Sequence, residues 1–123
     1  MRCNMSYQSR KLLIGATVIS HSGVAGIIDN PENPANQAYN WIVDDDPMQL
    51  CPGDSSLSQR YILALLYFTT QGDNWTKCRK DGLAPCAAEN FLSGTTECEW
   101  GGVSCDSSQQ VTKLNLGKHI ETE

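Results

Sequence analysis

The sequence predicts a mainly helical fold with a small β element, and three observations lead to this fold class. An apolar run over residues 61–68 follows a helix-capping pattern, which predicts a central buried helix. Six cysteines in 123 residues indicate a small domain that disulfides stabilise. Near the carboxyl end, Leu114 and Leu116 flank a polar Asn115, and this alternation predicts a short β-strand.

Residues 1–28 form an N-terminal segment that is open to three interpretations. Arg2, Arg10 and Lys11 precede a short apolar run over residues 12–19, which is the outline of a weak secretory signal peptide. Alternatively, the segment is an additional helix of the mature fold. A membrane span over residues 12–28 would have too few apolar residues to cross a bilayer, so we predict no span in this chain.

The first predicted helix of residues 29–110 begins at a Pro-rich turn. Asn33 suits the N-cap and Pro34 suits the first helical position of a helix that runs toward Val43. Three consecutive aspartates then end this helix. They lack the alternating oxygen ligands of a calcium loop, so we expect a solvated acidic turn. These residues are Asp44, Asp45 and Asp46.

The second predicted helix is the centre of the expected core. Ser56 and Gln59 fit a capping box, which predicts a helix over residues 57–70. Apolar side chains surround this helix on all sides. The residues that we expect to be fully buried are Ile62, Leu63, Leu65, Leu66 and Phe68.

The cysteines indicate an oxidising compartment. Cys98 and Cys105 enclose six residues, and two glycines among these supply the turn that a closed loop needs, so we predict a disulfide between them. A second disulfide is expected between two of Cys51, Cys78 and Cys86, which leaves Cys3 over. The spacings do not match those of structural zinc sites, so we predict no metal site.

The run Cys-Glu-Trp-Gly-Gly-Val-Ser-Cys at residues 98–105, followed by Val111, Leu114 and Leu116, resembles a known family. It is similar to the end of the N-terminal capping domain of a leucine-rich-repeat protein, where the cap runs into the first repeat. Residues 38–52, 61–68 and 72–75 extend the resemblance to the leucine-rich-repeat receptor-like proteins of diatoms.

This resemblance implies a helical, disulfide-containing cap over residues 29–110 and a truncated first repeat over residues 111–123. Val111, Leu114 and Leu116 would be the repeat core, with both leucines directed inward. The pattern departs from the family after Leu116. His119 and Glu121 stand where a repeat has its ladder asparagine and its next apolar residue, so we expect neither to play that part.

The function that the resemblance implies is structural. The chain would be the non-catalytic cap of a recognition or receptor-like protein. That parent protein would be either secreted or tethered at the outer face of the plasma membrane. A protein, peptide or carbohydrate ligand would bind to repeats that this monomeric chain lacks. Two alternatives stay open: an autonomous, secreted, cysteine-rich binding protein that uses exposed aromatic residues or the loop over residues 77–90, and a fragment of a hydrolase.

The composition and the motifs argue against nucleic-acid binding and catalysis. The net charge of −5 argues against binding to nucleic acid, which requires a basic face. We predict no catalytic residues and no cofactor, because no nucleophile, base and orienting group stand in a recognisable arrangement. The sequons at Asn4 and Asn74 permit N-glycosylation, although we expect a buried Trp75 to leave Asn74 an unmodified turn residue.

Overall fold

The computed structural model of the chain describes residues 3–22 and 30–120. Contacts divide it into two compact units, Met1–Leu65 and Leu66–Glu123, and each is described separately. The described helices are α1 (Tyr7–Ser22), α2 (Pro34–Asn40), α3 (Leu57–Thr69) and α4 (Gly117–Ile120). The described strands are β1 (Val103–Cys105) and β2 (Val111–Leu114), and short helical turns occupy Trp41–Asp45, Gly72–Asn74 and Glu97–Glu99.

Helix α1 packs through one face in the first unit. Arg10, Ile14 and Val18 are spaced by four residues and are all almost fully buried. The Arg10 guanidinium donates hydrogen bonds to three backbone carbonyls, those of Ile42 (3.2 Å), Val43 (2.7 Å) and Leu50 (3.0 Å). The first two belong to the turn after α2, where carbonyls have lost their helical partners.

Helix α1 is thus joined to the rest of the first unit, while the choice between a signal peptide and an additional helix of the mature fold stays a prediction. Removing residues 3–22 would deprive Cys51 of its disulfide partner Cys3. It would also leave three backbone carbonyls without the hydrogen bonds that Arg10 donates to them. Residues 23–28, which complete the candidate membrane stretch, lie outside the described residues. Among the helices that the structure does describe, none is long and apolar enough to cross a membrane.

Helix α2 begins as the sequence predicts. The Asn33 side chain accepts a hydrogen bond from the Ala35 backbone N–H (2.8 Å), and Pro34 occupies the first helical turn. The helix then widens into a π-helical turn, Trp41–Asp45. That turn closes with a bond of 2.8 Å from the Asp46 N–H to the Trp41 carbonyl.

The prediction of a solvated acidic turn is wrong for Asp46. Its carboxylate is fully buried and receives two hydrogen bonds from Arg60, at 2.6 and 2.8 Å. The Arg60 guanidinium also lies 5.3 Å from the centre of the Trp41 ring. Asp44 and Asp45 are exposed as expected. The sequence gives no sign that Arg60, on the next helix, pairs with one of three adjacent carboxylates.

Helix α3 confirms the predicted segment to within one residue, but the burial that we expected on all sides is wrong. The side chain of Ile62 is 48% exposed, and those of Leu65, Leu66 and Phe68 are only partly buried. The most buried face has helical spacing and includes the two tyrosines. Its members are Leu57, Arg60, Tyr61, Ala64 and Tyr67.

The core of the second unit is a cluster of aromatic rings around Phe91. The Phe91 ring lies 4.9 Å from Trp75, 5.1 Å from Trp100 and 6.2 Å from Tyr67. All four side chains are at most 1% exposed. These aromatic residues therefore contribute to the core and are not available as a surface on which sugars could stack.

Three disulfides pair all six cysteines. Cys98 is joined to Cys105 as predicted, and Cys78 is joined to Cys86, two of the three candidates for the second bridge. The expectation that Cys3 is left over is wrong, because Cys3 is joined to Cys51. This pairing could not be predicted from the sequence, because the two cysteines are 48 residues apart and come together only in the folded chain.

Candidate functional site

A β-hairpin follows the disulfide-closed loop of the second unit. Strands β1 and β2 are antiparallel, with Val103 opposite Leu114 and Ser104 opposite Lys113, and a bulge follows Ser104. The turn between the strands is held by Asp106, whose carboxylate accepts hydrogen bonds from the N–H groups of Ser108 (2.8 Å) and Gln110 (3.0 Å). We predicted β2 but not β1. The turn-forming run Asp-Ser-Ser at residues 106–108 is the sequence signal that could have revealed the hairpin.

The loop closed by Cys98 and Cys105 positions this hairpin. Trp100 lies inside the loop, and its side chain is buried against the ring of Phe91 in the aromatic core. Gly102 has a φ of +90°, and a Cβ there would lie 2.6 Å from the Asn115 carbonyl oxygen. The Gly102 carbonyl in turn accepts a hydrogen bond of 2.7 Å from the Asn115 N–H. Only glycine permits this approach between the loop and the chain after β2.

The apolar residues at the start of the predicted repeat are not covered in this chain. We call Val111, Leu114 and Leu116 the repeat-start residues. Leu114 is 44% exposed, while Val111 and Leu116 are partly buried. Leu114 therefore lies partly in solvent in this chain, and its assignment to a repeat core stays a prediction. In the described sheet β2 pairs only with β1, so no second strand of that sheet covers its other edge.

His119, at which the sequence departs from the repeat pattern, is part of the second unit's core. The side chain is buried, and its Nε2 lies 2.8 Å from the Gly101 carbonyl oxygen. A carbonyl can only accept, so Nε2 is the protonated nitrogen. The His119 carbonyl also accepts a hydrogen bond of 2.8 Å from the Thr76 N–H. His119 is thus hydrogen-bonded to two separate backbone segments. Glu121 lies outside the described residues.

A cavity of about 540 Å³ opens beside this histidine. Its walls include the Cys78–Cys86 disulfide, Gly101 and His119, with Lys77 and Asn115 as further polar lining residues. A Cβ on Gly101 would overlap the sulfur of Cys78, so glycine is required where the loop backbone meets the disulfide. The volume falls in the range of small-molecule sites. Among the described residues, no group of three metal-binding side chains converges here or elsewhere.

Tyr67 joins the aromatic cluster to the neighbouring turn. Its hydroxyl donates to the Asp73 carboxylate (2.7 Å) and accepts from the Lys80 N–H (3.2 Å). Burial raises the pKa of the Tyr67 phenol above its usual value, and the hydrogen bond to Asp73 adds to the rise. The phenol is therefore a neutral structural group at physiological pH. A Cβ on Gly72 would overlap its ring.

A second exposed apolar residue lies on the loop that Cys78 and Cys86 close. Leu83 is 80% exposed, and its N–H donates a hydrogen bond of 2.8 Å to the Asp81 carboxylate. Gly82, with a φ of +74°, supplies the turn before it. The sequence indicated this loop as a contact surface but did not single out Leu83.

Both sequon asparagines, Asn4 and Asn74, are exposed. No model of a protein family matches this chain, nor does any curated protein or solved structure to which it was compared. The candidate site is therefore defined by the geometry of the hairpin alone.

We expect replacement of both Cys98 and Cys105 by alanine to lower the free energy of unfolding by about 2.5 kcal/mol, because the bridge closes an eight-residue loop in the unfolded chain. Urea unfolding followed by circular dichroism measures the change. Ser104→Ala, at an exposed position between the two cysteines, is the matched control. Equal stability of the double variant and the parent chain would contradict the prediction.

Proposed function

We propose that this chain is a structural N-terminal cap whose hairpin begins a leucine-rich repeat and whose exposed β2 edge receives the next repeat. The observation that carries the proposal is the exposure of Leu114. A residue that the repeat pattern assigns to a hydrophobic core lies in solvent, on a strand with a vacant edge within the described sheet. Solenoid repeats bury their apolar faces against neighbouring repeats, and such a neighbour would cover Leu114.

The rest of the second unit is suited to this role. The aromatic cluster and the Cys98–Cys105 loop provide a closed core on one side of the hairpin. His119 ties the chain after β2 back to Gly101. The three disulfides are compatible with a secreted or extracellular protein. In this role the cap is non-catalytic, and ligand binding belongs to repeats beyond it.

The experiment joins the full chain to an array of consensus leucine-rich repeats and compares Leu114→Lys with Lys113→Glu. Both positions are exposed in the chain alone, so each variant should change its stability by less than about 0.5 kcal/mol. In the fusion, Leu114 becomes buried, and Leu114→Lys should cost about 1.5–3 kcal/mol. Lys113→Glu should cost less, because the side chain of residue 113 is on the opposite face of the strand from that of Leu114.

Urea unfolding of both fusions measures these costs. Two independent transitions, one for the chain and one for the array, with no effect of Leu114→Lys would show that the β2 edge receives no repeat. That result would overturn the proposed function.

Leu83 favours a second candidate function, that of an autonomous secreted binding protein. This exposed leucine stands on a loop fixed by the Cys78–Cys86 disulfide and by the Asp81 hydrogen bond. A preorganised loop loses little entropy on binding, so an apolar side chain at its tip suits insertion into a partner. If the fusion shows no coupling while the chain alone is monomeric and stable, this second function replaces the first.

A further inference from the structure

We propose that Asn74 is an N-linked glycosylation site. This inference rests on the extracellular location contained in the proposed function, and it adds a covalent modification that the cap role does not require. The residue stands in the sequon Asn74-Trp75-Thr76. The expected burial of Trp75 spoke against modification at the sequence level, and the structure removes that objection.

Asn74 and Trp75 differ in their exposure to solvent. Trp75 is 1% exposed and contacts the rings of Tyr67 and Phe91. Asn74, one residue earlier, is exposed at the end of the Gly72–Asn74 turn. Burial of the tryptophan therefore does not bury the acceptor amide, and the folded domain has room for a glycan at this position.

The fold also does not use the Asn74 side chain. The turn is held by backbone hydrogen bonds, from the Asn74 N–H to the Gln71 carbonyl (2.8 Å) and from the Trp75 N–H to the Gly72 carbonyl (3.0 Å). Within the described part of the chain, no hydrogen bond involves the Asn74 carboxamide. A sugar on Nδ2 would therefore displace no described contact. Asp73, which precedes Asn74, and Thr76, the third residue of the sequon, are exposed as well.

The sequon at Asn4 provides an internal comparison. Asn4 is exposed too, but it is adjacent to Cys3, and its backbone has a φ of +53°. The disulfide from Cys3 to Cys51 constrains the chain at that point. The cysteine nearest to Asn74 is Cys78, four residues further along the chain.

The reaction is the transfer of an oligosaccharide from a lipid pyrophosphate carrier. The Asn74 Nδ2 forms a bond to the anomeric carbon of the first sugar, and the bond from that carbon to the carrier's phosphate oxygen breaks. The lipid pyrophosphate leaves, and the amide proton passes to a base of the transferase. No oxidant or reductant takes part.

The experiment translates the full chain, fused to a cleavable secretory leader, in the presence of eukaryotic microsomes. Only the protease-protected fraction is scored, so every scored molecule has met the transferase. Digestion with peptide N-glycosidase in ¹⁸O-water, followed by mass spectrometry, identifies the modified asparagine. We expect the label on Asn74, its loss in Asn74→Gln and Thr76→Ala, and its retention in Asn4→Gln. Protected chain that carries no glycan at Asn74 would overturn the inference.

A second measurement tests whether the fold accommodates the glycan. Disulfide mapping of secreted, glycosylated chain should give the same three bridges as the unglycosylated chain. Scrambled bridges in the Asn74-glycosylated form alone would contradict the conclusion that the folded domain has room for a glycan at this position. Neither result depends on the repeat fusion, so failure of the glycosylation site and failure of the cap function are distinguishable.

Discussion

Asp46→Ala should lower the free energy of unfolding by about 3–5 kcal/mol, because it leaves the Arg60 guanidinium buried without its carboxylate partner. Both side chains are fully buried, and two hydrogen bonds join them. The Asp46 carboxylate also accepts a bond of 2.9 Å from the Met48 N–H, which would lose its partner as well. Urea unfolding measured by circular dichroism gives the total change, and amide hydrogen exchange in α1 and α2 assigns it to the first unit.

Asp45→Ala is the matched control, because Asp45 adjoins Asp46 and is exposed. It should change the stability by less than about 0.5 kcal/mol. Replacing both members of the pair, as Asp46→Leu with Arg60→Met, should recover most of the loss, since an apolar pair leaves no unpaired charge. Equal stabilities of Asp46→Ala and Asp45→Ala would show that the buried ion pair contributes nothing to this fold.

The features that the sequence predicted correctly are local ones. The N-cap at Asn33 and the limits of α3 depend on residues within one or two helical turns. The Cys98–Cys105 bridge closes across only seven positions, with glycines between its ends. In each case the residues that determine the structure are neighbours in the chain, so their pattern can be read directly.

The features that the sequence missed join distant segments. Asp46 and Arg60 stand on different elements, and Arg10 reaches carbonyls that are more than 30 residues away. A run of three aspartates looks alike whether or not one of them is buried. Such pairs become visible only when the packing of the helices is known.

The candidate site shows the same limit. The resemblance predicts that Leu114 belongs to a repeat core, but repeat cores are buried against neighbouring repeats, and the described sheet has no further strand beside β2. The hydrogen bond from the His119 imidazole to the Gly101 carbonyl was likewise not predictable from the sequence, because it joins residues that are 18 positions apart.

Replacement of both Cys3 and Cys51 by alanine should destabilise the chain by about 4 kcal/mol, because this bridge closes by far the longest loop of the three in the unfolded state. The loss of stability should exceed that of the Cys98 and Cys105 double variant, because the Cys98–Cys105 bridge closes a much shorter loop. Parallel urea unfolding of the two double variants measures both, and hydrogen exchange in α1 locates the effect of the first.

This result bears directly on the N-terminal segment. If α1 belongs to the mature fold, loss of the Cys3–Cys51 bridge should increase exchange at the α1 amides, because Arg10 then remains as a main polar anchor between that helix and the end of α2. Arg10→Ala in the double variant should therefore increase α1 exchange further. If both sets of variants leave the stability of the rest of the first unit unchanged, residues 3–22 are dispensable, and the segment returns to the interpretation of a removable signal peptide.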